Sequence, residues 1–157
     1  MKISEAVKLA EKSSEVKELK QKGYFLNSGM AFLEPFDNEV GSWNLTYYNT
    51  KENKVAQIAV EGDSISLKEK GTPLQPTKQE LKLSGIKTSS AKMLEKAKKD
   101  FKKYKQPVSQ IILSVQKENE KTVWRINFIT KIFYLIIVRL DAKTGGLLSS
   151  EMHSLSK

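Results

Sequence analysis

Apolar positions along the chain switch between two periods, and do so twice. Ile3, Ala6, Ala10, Val16 and Leu19 recur near helical spacing and predict a helix from Ser4 to about Lys20. Ser4 is placed to cap it, Glu5 favours its first turn, and Gly23 suits its end. The period then falls to two. Trp43, Leu45 and Tyr47 share one face of a strand from Ser42 to Tyr48, while Asn44, Thr46 and Tyr48 share the other. Tyr48 is therefore the aromatic expected to be exposed, and the tryptophan is expected in the core. Tyr24 to Phe36 is broken by Asn27-Ser28-Gly29 and by Pro35, so it reads as a kinked edge strand. Val55 to Val60 and Ser64 to Leu67 are strands joined by the turn Glu61-Gly62-Asp63.

Residues 68 to 87 hold Gly71, Pro73, Pro76 and Gly85 with few large apolar groups, and read as a connection. The cycle then restarts. Thr88 or Ser89 can cap a second helix, whose Met93, Leu94, Ala97, Phe101 and Tyr104 form an apolar stripe ending before Pro107. Val108 to Gln116 and Val123 to Ile129 alternate as strands, the latter with Trp124, Ile126 and Phe128 on one face. Ile132 to Leu140 is apolar at both parities, as in a strand covered on both faces or paired at the centre of an assembly. Asp141 to Gly146 forms a turn, and Leu147 to Met152 a last strand.

Helix, strands and turns thus recur in the same order. Trp43-Asn44-Leu45-Thr46-Tyr47-Tyr48 aligns with Trp124-Arg125-Ile126-Asn127-Phe128-Ile129, which puts both tryptophans at equivalent places. The expected fold is α+β, built as two tandem helix-plus-antiparallel-sheet modules: residues 1–68, a linker at 69–87, and residues 88–157. The second half resembles PepSY-type domains, in which a helix precedes a Trp- or Tyr-led strand, a strand ending in an acidic residue, and a Thr-Gly turn. Trp124, Asp141, Thr144 and Gly145 are the matching positions. The first half keeps Trp43 but has Glu61-Gly62-Asp63 at its turn. The resemblance implies a cystatin-like curved sheet wrapping a helix, and a role in protein or peptide binding or in modulating peptidases. A shared fold does not by itself fix a function.

Charge and chemistry narrow the partner. Lysine and arginine total 27 against 18 acidic residues, a formal charge of +9, which favours anionic partners. Lys92, Lys96, Lys99 and Lys103 line one stripe of the second helix, where nucleic acid or another anionic surface could lie. Cysteine is absent, which removes disulfides, thiolate metal sites and cysteine nucleophiles. The single histidine, His153, sits in a Ser-rich tail, too little for a Ser-His-acid triad or a zinc site. Lys143-Thr144-Gly145-Gly146 lacks the spaced glycines and following helix of a phosphate loop. No catalytic residue, metal or cofactor is therefore expected. The expected function is non-enzymatic binding of a protein or peptide, added as a strand to the Pro35-kinked edge, with nucleic acid as the alternative partner. The first residues carry no apolar leader, and no apolar run reaches the roughly 20 residues of a membrane-crossing helix, so the default expectation is cytoplasmic.

Overall fold

The structure is a computed structural model that describes residues 1–71 and 78–155. Its elements run α1 (Ile3–Lys12), α2 (Ser14–Gln21), β1 (Phe25–Leu33), β2 (Ser42–Asn49), β3 (Lys54–Glu61), β4 (Ser64–Gly71), α3 (Ser90–Phe101), β5 (Val108–Glu118), β6 (Lys121–Thr130), β7 (Tyr134–Asp141) and β8 (Leu147–Ser154). All eight strands join one antiparallel sheet in the order β4-β3-β2-β1-β5-β6-β7-β8. The expectation of two separate helix-plus-sheet modules is therefore corrected. β1 pairs with β2 on one side and with β5 on the other, from Ser28↔Gln116 to Leu33↔Ile111. That pairing gives each meander's first strand a partner for its otherwise unpaired N–H and C=O groups. It also merges the two apolar faces, since α1, α2, α3 and strands from both halves contribute to one buried cluster.

β1 is accordingly a central strand, and the reading of the Pro35-kinked segment as an edge fails. Asn27 occupies a bulge between Leu26 and Ser28. Its amide donates to Gln79 O at 3.1 Å, so the connecting segment lies along that bulge, with Leu81 buried beside it. Gly29, which looked like a strand breaker, is a packing contact: a Cβ there would lie 2.7 Å from Ile3 Cδ1. The part of the predicted linker at 72–77 lies outside the described residues.

The first helix also differs from expectation. It divides at Ser13, whose Oγ accepts from Val16 N at 3.2 Å and so caps α2, while Lys2 rather than Ser4 is the N-cap of α1. Gly23, at φ +96°, ends the helical segment in the left-handed region, as its type allows. Ser89 caps α3 by accepting from Lys92 N at 3.1 Å.

The helices cover the sheet face that carries Trp43 and Trp124. Both indoles are fully buried, and their ring centroids lie 6.3 Å apart. Phe128 stacks on Phe101 of α3 at 4.4 Å. The opposite face carries Met30, Phe32, Arg125 and Arg139, with Glu118 accepting from Arg139 Nη2 at 2.8 Å. Tyr48 belongs to that face but is buried rather than exposed, because Phe25 packs edge-on against its ring and its hydroxyl donates to Asn53 Oδ1 at 2.8 Å. β7 is the penultimate strand, not a central one, and it starts at Tyr134. Ile132 and Phe133 form the exposed β6–β7 turn, with Phe133 at φ +65°.

Candidate functional site

Of the four lysines expected to form an anion-binding stripe, Lys92, Lys96 and Lys99 lie on α3 and Lys103 on the turn that follows it, and most of them are already engaged. Lys96 Nζ donates to Gly145 O, tying α3 to the β7–β8 turn. Lys99 pairs with Glu95 at 3.5 Å, and Lys103 pairs with Asp100 at 3.3 Å while lying over the Tyr104 ring. Of the four, Lys92 is exposed and forms no ion pair among the described residues. A different lysine is more enclosed. Lys98 Nζ donates to Asp37 O, and burial holds its pKa below the ordinary lysine value. Lys98 and Lys102 stand over a cavity of about 450 Å³ floored by Phe101, Val108, Ile111 and Phe128.

Among the described residues no imidazole accompanies these groups. Ser150 Oγ donates to Asp100 Oδ2 and meets Tyr104 OH, each at 2.6 Å, but this network fastens α3 to β8 without an imidazole. His153 is not in a free tail: it is part of β8, where it pairs in register with Leu135 and lies 3.3 Å from Glu151. Its register places it on the face opposite Ser150, so the serine and histidine are on different sides of the sheet. Among the described residues no group of three or more His, Cys, Asp or Glu side chains could hold a metal ion. Asp141 serves the turn that follows it. Its Oδ1 accepts from Lys143 N at 2.8 Å and Thr144 N at 3.2 Å, and these bonds, with Lys121 nearby, hold its carboxyl below the usual range.

The largest departure from an ordinary surface is β8 itself. Six of the ten exposed large apolar side chains among the described residues lie on β8, on its next residue, or on the turn beside its end: Ile132, Phe133, Leu147, Leu148, Met152 and Leu155. Leu155 N donates to Phe133 O at 2.7 Å, which joins the turn and the strand end into one surface. β8 is an outer strand, and residues 147–154 contain neither lysine nor proline. Those two residues commonly guard sheet edges. Sequence reasoning placed the open edge at Pro35 and missed this one. A run of ten residues after Gly145-Gly146 without lysine or proline, in a chain this basic, was the available signal.

The other outer strand, β4, has Lys68 exposed near its end, and its sequence continues Glu69-Lys70. Among the described residues no helix is long and apolar enough to cross a membrane.

No protein-family model matches the chain, and no curated protein matches it. Among solved structures, the fold is similar to that of a proposed lipoprotein from Clostridium difficile, with a TM-score of 0.56 over 88% of this chain and 89% of that chain at 17% identity. At that identity the likeness is one of fold alone.

Proposed function

We propose that this protein is a non-enzymatic binding module that takes up an extended segment of another polypeptide along β8. The observation that carries this reading is the concentration of exposed apolar side chains on a charge-poor outer strand. In an antiparallel strand every second residue turns its N–H and C=O away from its neighbour, so β8 offers a row of unsatisfied backbone groups. An added strand would satisfy them, while Leu148, Met152 and Leu155 would supply apolar contacts for its side chains. The α3-to-β8 network of Asp100, Ser150 and Tyr104 holds the strand in place, which lowers the ordering cost of binding.

The test is capture of a partner from the native cell by the wild-type chain and by a Leu148→Lys, Met152→Lys variant, followed by hydrogen exchange on the captured complex. Loss of capture in the variant, with slowed exchange at alternate β8 amides in the wild-type complex, is the expected result. Undiminished capture by the variant, or protection confined to another surface, refutes the reading. Protection of β8 at high concentration without a second protein identifies the occupant as another copy of this chain.

A second reading concerns an anionic polymer. Lys92, Lys98, Lys99 and Lys102 line a cavity of about 520 Å³ along α3 with one carboxylate, Glu95, among them. Binding of single-stranded nucleic acid there would weaken steeply with salt and be lost on charge reversal at Lys92 and Lys102. Insensitivity to either change refutes it.

A further inference from the structure

α1 and α3 begin at the same place. Their N-termini open onto one cavity of about 250 Å³, whose lining includes Lys2, Ser4, Lys87, Thr88, Ser89 and Ser90. Each helix is brought there by a tryptophan. Trp43 Nε1 donates to Met1 O, two residues before α1, and Trp124 Nε1 donates to Thr88 Oγ1, two residues before α3, both at 3.0 Å. Since the two indoles also touch each other, the contact that joins the halves of the core sets the spacing of the helix ends.

Both ends present free donors. At α1 the N-cap Lys2 makes no side-chain cap, and Lys2 O accepts from Glu5 N and Ala6 N, which leaves the N–H groups of Ile3 and Ser4 without an acceptor among the described residues. At α3 Ser89 Oγ takes Lys92 N and Ser89 O takes Met93 N, which leaves those of Ser90 and Ala91. Such first-turn N–H groups, together with the positive end of the helix dipole, favour an anion. An independent observation points the same way. Ser90 keeps only 9% of its surface exposed and lines the cavity, yet its hydroxyl bonds to no other group among the described residues. The little surface that Ser90 keeps lies in the lining, so its donor is left for whatever occupies the cavity.

The charged groups on the lining are Lys2 and Lys87, both exposed and without an ion pair among the described residues; no carboxylate joins them. Donors therefore converge from two helix ends and two ammonium groups. That suits a tetrahedral dianion, whose acceptor oxygens point several ways, better than a planar carboxylate. We infer that this cavity binds a phosphate group, either inorganic phosphate or the head of a phosphomonoester. The inference does not depend on β8, and the variants that test it leave that strand untouched.

Titration of the isotope-labelled full chain with inorganic phosphate, against chloride at equal ionic strength, tests it by amide chemical shifts. Saturable shifts are expected at Ile3, Ser4, Ser90 and Ala91. Affinity should fall by about tenfold in Lys2→Glu, Lys87→Glu and by roughly threefold in Ser90→Ala. Shifts that stay linear, that spread along the α3 lysines, or that persist unchanged in the double variant overturn the inference. Flotation with phosphatidylcholine vesicles carrying phosphatidic acid then separates the sources. Flotation lost in the double variant assigns a lipid headgroup, whereas saturable binding of phosphoethanolamine without flotation assigns a soluble phosphomonoester.

Discussion

Residues 1–71 and 78–155 each lay four antiparallel strands beneath helical segments, and each fixes the start of a helix with a tryptophan N–H. Their outer strands differ. β4 reads Ser-Ile-Ser-Leu-Lys-Glu-Lys-Gly, whereas β8 reads Leu-Leu-Ser-Ser-Glu-Met-His-Ser. The first is closed to strand addition by charge, and the second is not. The same architecture thus has one guarded and one open edge, and the difference lies in side chains that the core does not require. The proposed binding role rests on that open edge.

The comparison breaks if the halves prove independent. Trp43→Ala and Trp124→Ala should each cost about 3–5 kcal/mol in urea denaturation. Because the rings touch, the double variant should depart from additivity by about 0.5–3 kcal/mol. Strict additivity would mean that each half stabilises itself. Gly29→Val should cost about 1–3 kcal/mol by forcing Ile3 away from β1, and a neutral result would show that α1 does not need that close approach.

Asp141→Ala should lose about 1–2 kcal/mol, because two turn N–H groups lose their acceptor. The Lys143 and Thr144 N–H bonds lower its pKa in the folded state, so its contribution is fully present above the unfolded carboxyl value and lost as pH falls through the folded one. Wild type should therefore lose more stability than Asp141→Ala on acidification, a difference read by denaturation at each pH. Ser13→Ala and Ser89→Ala remove matching caps from the two halves and should each cost about 1 kcal/mol. At β8, Leu148→Lys, Met152→Lys should change stability by no more than about 0.5 kcal/mol, since both side chains are already exposed.

Local features of the fold were legible in the sequence. Alternation placed Trp43 and Trp124 in the core, and Ser89 and Gly23 marked a helix start and a helix end because caps depend on near neighbours. The union of the sheets was not legible, because the pairing of Ser28 with Gln116 spans most of the chain and no local period encodes it. Asn27 and Gly29 looked like breakers for the same reason: one fits a bulge against the connecting segment, the other a helix contact. The partners of the α3 lysines were only partly visible in the sequence, since Gly145 O reaches Lys96 through the tertiary fold. The open edge was written in the composition of residues 147–154, though recognising it required knowing that β8 is an outer strand.

The most direct test of the open-edge account is photo-crosslinking in the native cell from a probe placed at Met152 on β8 and, separately, at Leu67 on β4. Both side chains are exposed to a similar degree, 45% and 40%, so accessibility alone does not distinguish them. The account predicts adducts from position 152 that disappear with Glu151→Pro, and none from position 67. Equal yields from both edges, or adducts from position 67 alone, would contradict it.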